Sequence, residues 1–134
     1  MRRRQPAQAL VEAMLFLVLL ASAALIVLGL GLLARDDGAV AAVAADAAHA
    51  GAVVSRAEDV EPAARARATQ VAEGYGLASS RLDLAVDPSQ FGRDGEVRVV
   101  ATYTESLGEI GLPWGDVLLH HEAVEQVGPY RTFR

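Results

Sequence analysis

The chain has 134 residues, 52% of them hydrophobic, no cysteine and a formal charge of −5. That leaves room for one small domain without disulfides, held by its own packing or by partners. The acidic balance excludes nucleic acid as a natural ligand: such affinity rests on neutralised phosphates, and no basic stripe or aromatic platform follows the N-terminus.

Residues 1–7 are polar and basic, with Arg2, Arg3 and Arg4 in a row. Between Glu12 and Arg35 lie 22 residues without a charge. As a helix they reach about 33 Å, enough for a hydrocarbon core of about 30 Å. Residues 8–35 therefore read as a transmembrane helix. Arginines precede the span and Arg35-Asp36-Asp37 follows it. The positive-inside rule then puts the N-terminus in the cytoplasm and residues 36–134 outside, as one extracytoplasmic domain of a single-pass membrane protein. Asp36-Asp37-Gly38 is either a short break or the exit of a continuing helix into water.

From Ala39 to about Glu58 the chain is alanine-rich and helix-prone. Val40, Val43, Ala47, Ala50 and Val54 recur at helical spacing and form a slim apolar seam, for the protein's own sheet or for a neighbouring subunit. Glu61-Pro62 reads as the start of a second, short helix, since proline is tolerated in the first turn. Ala64, Ala68, Val71 and Tyr75 share a face there, and Gly74 or Gly76 supplies the stop. The period then changes. Leu82, Leu84 and Val86 alternate with Asp83, Ala85 and Asp87 as a strand; Glu96 to Ser106 and Asp116 to Val127 read as two more. The loops are Pro88–Gly95 and Gly108–Gly115, the second carrying Trp114 after Pro113 as an anchor on the sheet. The fold class is α+β: a membrane helix running into an Ala-rich helix, a second helix, and a small antiparallel sheet of about three strands packed on the first helix.

Glu12 is the residue that needs a reason, because a carboxylate at the edge of a membrane span costs free energy unless it is compensated. It closes the run Gln8-Ala9-Leu10-Val11-Glu12, which follows Pro6-Ala7 and precedes the apolar stretch. This run resembles the prepilin signature of the tight-adherence (Flp) branch of type IV pilus proteins, and more narrowly that of TadE-like minor pilins. The likeness covers residues 5–34, and the pilin-like layout and the Val127 to Arg131 ending match more loosely. Two positions depart from the family pattern: Ala7 stands where glycine is usual, and Ala13 where an aromatic follows the glutamate.

The resemblance implies a leader over residues 1–7, cut by a membrane prepilin peptidase between Ala7 and Gln8, so that Glu12 becomes the fifth mature residue. It also implies other pilins, pilus platform proteins and a cytoplasmic assembly ATPase as partners, and a place in the membrane or in a surface pilus used for adhesion. The physical account stands beside it. Cleavage would free a cationic amine on Gln8, four residues before Glu12 and on the same helix face. That amine, or a neighbouring subunit's, could neutralise the carboxylate, and in a low dielectric such pairing is strong.

Plainer readings compete. Glu12 could reach water from the head-group layer. A secretory signal peptide would have its apolar core at Met14 to Leu20 and an A-x-A-like site at Ala21-Ser22-Ala23, although the apolar run continues well past it. The arginine run lacks the context of a twin-arginine signal. His120-His121-Glu122 invites a metal, but neighbours on a strand point to opposite faces, so one histidine faces inward and one outward. Asp46 and His49, three apart on a helix, could hydrogen-bond to each other. Glu58-Asp59 reads as a solvated helix end. Ser79, Ser80 and Ser106 have no partnered His-Asp set, and the glycines form neither a P-loop nor a dinucleotide fingerprint. The chain is thus expected to be no enzyme, with no metal, cofactor or small-molecule substrate. Two functional readings remain: a minor pilin or pseudopilin with a structural and assembly role, or a membrane-anchored extracytoplasmic binding module.

Overall fold

A computed structural model describes residues 5–111 and 115–128. Helix α1 runs unbroken from Gln5 to Ala52, and α2 from Val60 to Tyr75. Three strands follow: β1 (Leu82–Asp87), β2 (Glu96–Ser106) and β3 (Asp116–Gln126). They form one antiparallel sheet in the order β1-β2-β3. Both helices cover one face of that sheet, giving two layers, and the other face is open to solvent. The α+β architecture is as the sequence predicts.

The first half of α1 stands clear of the domain. Leu15, Phe16, Leu17, Leu19 and Val27 each keep about three-fifths or more of their surface exposed. The helix is long and apolar enough to cross a membrane. A contiguous apolar surface of that size calls for lipid or another helix. The second half is different: Ala39, Val40, Val43, Ala44, Ala47, Ala48 and Ala52 are buried. Opposite them α2 buries Val60, Ala64, Ala68 and Ala72. Two alanine faces let the helix backbones approach closely, which bulkier seams would prevent.

Polar Asp36, Asp37 and Gly38 do not break α1. Arg35 donates from Nη2 to the Tyr75 carbonyl at 3.0 Å, and His121 Nε2 lies 2.8 Å from Asp37 Oδ1. Partners on α2 and β3 thus hold this segment helical. The helix ends at Ala52, short of the predicted Glu58. A Cβ at Gly51 would come within 3.1 Å of Val97 Cγ1 and 3.2 Å of Val60 Cγ1, so a side chain there would need these valines to give by a few tenths of an ångström as the chain end approaches β2 and α2. Val54 therefore lies beyond the helix, though it packs against the core. Glu58 and Asp59 are exposed in a single 3-10 turn ahead of α2.

Helix α2 stops at Gly76, whose φ is 76°. Gly76 N–H donates to Glu73 O at 3.0 Å and Leu77 N–H to Ala72 O at 2.9 Å, the paired bonds of a Schellman stop, with Leu77 buried behind them. Tyr75 is exposed and Val71 only half-buried; Ala72 takes the inward place. In the sheet, Leu84 pairs with Ala101 and Val86 with Val99. Val97, Val99, Ala101 and Tyr103 of β2 face the helices and are buried. Among the described residues the core holds no buried polar side chain.

Candidate functional site

Ala7, Gln8 and Glu12 all lie on exposed helix in the first turns of α1. Helical spacing brings Gln8 and Glu12 one above the other, and Gln8 Nε2 donates to Glu12 Oε1 at 3.2 Å. No other side chain bonds either residue among the described residues, so within them the carboxylate has one neutral donor. Arg2, Arg3 and Arg4 lie outside the described residues, as do Pro113, Trp114 and the Pro129–Arg131 part of the C-terminal ending.

The span is joined to the domain without a hinge, and the join is fastened on two sides. The Arg35–Tyr75 bond ties α1 to the end of α2. Two contacts of opposite polarity tie it to β3: Asp37 on the helix with His121 on the strand, and His49 Nδ1 on the helix 3.3 Å from Glu125 Oε1 on the strand. Asp37 and His49 are about 18 Å apart along the helix axis, and His121 and Glu125 about 14 Å along the strand. Both strand residues point inward from an edge strand. Inward charge is a known guard against unwanted edge-to-edge pairing.

Sequence reasoning placed the histidines of β3 correctly. His121 faces α1, and His120 lies on the outer face with Nδ1 3.3 Å from Thr102 Oγ1. Among the described residues no group of three or more His, Asp or Glu side chains could hold a metal ion. The Asp46–His49 pairing does not form. Asp46 Oδ2 instead receives Arg67 Nη2 of α2 at 2.7 Å, while His49 turns to β3. The reason is reach: each side chain lies at a rim of the alanine seam, next to a different element. The only local sign was that charged residues flank that seam.

Burial, then the neighbouring Asp36 carboxylate, pushes the Glu105 carboxyl above its ordinary range. Nearby, Arg81 bonds Glu109 and holds that carboxyl below it. No family model, curated protein or solved structure matches the chain.

Proposed function

We propose that the chain is a TadE-like minor pilin or pseudopilin that takes part in assembling a tight-adherence (Flp) type IV pilus after prepilin-peptidase cleavage between Ala7 and Gln8. The observation that carries this reading is an acid, Glu12, placed one turn after Gln8 at the mouth of a bare apolar helix, with the neutral amide of Gln8 as its one side-chain hydrogen-bond partner among the described residues. An anchor needs no such acid. A subunit that must dock in register gains from one, because removing either partner of a buried ion pair costs about 3–5 kcal/mol.

In this reading residues 1–7 are the leader, Arg2, Arg3 and Arg4 keep the N-terminus cytoplasmic, and the cut frees the amine of Gln8. That amine, or a neighbouring pilin's, neutralises Glu12. Lipid then no longer holds an unpaired charge, and one helix sits at a fixed depth against another. The extracytoplasmic domain contributes packing and no chemistry, and the peptidase, other pilins and platform proteins are its partners. Mass spectrometry of the protein from its native membrane tests the cut: a mature start at Gln8 is expected, and intact Arg2–Arg4 in a strain with a working peptidase would refute it. Glu12→Ala should abolish co-purification with other pilins while leaving membrane insertion intact; unchanged co-purification removes pairing as the role of Glu12.

The exposed Leu118 and Val124 on the outer sheet face favour a second reading, a membrane-anchored binding module. It stands if the leader is retained.

A further inference from the structure

We infer that Glu12 also guards the N-terminus that the leader cut would expose, by keeping Gln8 from closing on itself into a pyroglutamyl lactam. The inference rests on the proposed cut before Gln8 and concerns what happens to that residue afterwards. A free N-terminal glutamine carries its own electrophile. The α-amine nitrogen attacks Cδ, a C–N bond forms in a five-membered ring, and the Cδ–Nε2 bond breaks. Nε2 leaves as ammonia with the proton that the amine gives up. No oxidant or co-reactant is needed. The product has no basic amine, so the cation that neutralises Glu12 would be erased.

Two features of the site oppose this reaction, and both come from Glu12. Ring closure needs the Gln8 side chain folded back over its own amine. The hydrogen bond from Nε2 to Glu12 Oε1 at 3.2 Å draws the carboxamide the other way, toward a residue about 6 Å further along the axis. Ring closure also needs an unprotonated amine. A carboxylate one turn away favours the ammonium form, which has no lone pair to attack with. The bond lies at the edge of an exposed apolar helix, where lipid in place of water strengthens both the hydrogen bond and the attraction between the ammonium and the carboxylate.

The test exposes Gln8 without relying on the peptidase. The whole chain from Gln8 onward is released in detergent from a removable N-terminal fusion, and its intact mass is followed over time. Wild type should keep its full mass. Glu12→Ala should lose one ammonia about tenfold faster, the factor that roughly 1.4 kcal/mol of lost protection gives. Glu12→Gln keeps an acceptor but no charge and should fall between them, whereas Gln8→Ala should lose nothing. Equal rates in wild type and Glu12→Ala, or a slower loss in the variant, would overturn the inference. Native protein that starts at Gln8 but already lacks one ammonia overturns it as well and leaves the pilin reading standing. Native protein that keeps Arg2–Arg4 removes the pilin reading, and the time course still decides the chemistry at Gln8.

Discussion

Ala47 is fully buried in the seam of α1, in the same core as Ala64 and Ala68 of α2 and Val97 and Val99 of β2. Replacing it with leucine adds three carbon atoms to a fully buried position in a core built largely from alanine and valine. Leucine and alanine have nearly equal helix propensity, so α1 itself is not weakened. The cost is overpacking, about 1–3 kcal/mol. A domain of this size loses about 4–8 °C of Tm per kcal/mol, so the melting point should fall by between about 4 and 24 °C. Thermal unfolding of the full chain in detergent, followed by near-ultraviolet circular dichroism, measures it. Ala45→Leu is the control, since Ala45 is exposed on the same helix. An unchanged melting point for Ala47→Leu would refute the close alanine contact. An equal fall in both variants would show that the effect comes from the detergent-embedded helix and not from packing.

Gly95→Ala should unfold the β1–β2 loop, because a Cβ there would lie 1.8 Å from Gln90 O, the acceptor of Glu96 N–H. A loss of about 1–3 kcal/mol is expected in urea titrations, with faster hydrogen exchange at Glu96 and at Val127, whose N–H donates to Gly95 O. Gly92→Ala, where nothing lies within 4 Å, should cost little. At Glu105 the raised carboxyl sets the sign of a pH effect. The folded chain keeps this proton to higher pH than the unfolded chain does, so stability falls as pH rises through the two values. Glu105→Gln should therefore raise the urea midpoint at neutral pH and flatten the decline as pH rises above the ordinary glutamate range. A steeper decline in the variant would contradict this assignment of cause.

The sheet was the most legible part of the sequence. Val97, Val99, Ala101 and Tyr103 alternate with polar or solvent-facing neighbours, and the predicted ends of β2 match those observed. Val40, Val43 and Ala47 were legible too, as a helical seam. What periodicity missed depends on contacts between elements. Whether α1 continues through Asp36-Asp37-Gly38 is decided by His121 and by the carbonyl of Tyr75, 84 and 40 residues away from their respective partners. The spacing groups Tyr75 with Ala64 and Ala68 on one face of α2, yet Tyr75 is exposed and Ala72 is the buried residue of that turn. Of the candidate site, the Gln8–Glu12 spacing is readable from helical geometry alone; the hydrogen bond between them depends on the rotamers the two side chains adopt.

The fastening of α1 has a consequence for any function that begins at Glu12. From Glu12 to Asp37 is about 38 Å of helix, with no proline and only Gly29 and Gly31 inside it. A hinge would belong where the apolar run ends, at Arg35–Gly38, since that stretch is the most polar in the helix and holds its third interior glycine. There the helix is instead held from one side by the end of α2 and from the other by β3. If α1 spans a membrane as proposed, the depth and rotation of Glu12 there would be carried into the orientation of the sheet. In the proposed assembly role, docking at one end would then be felt at the other without a conformational switch. Both holding contacts are exposed, so each is weak alone. Their strength lies in acting together on opposite sides of a helix whose next turns are locked by the alanine seam.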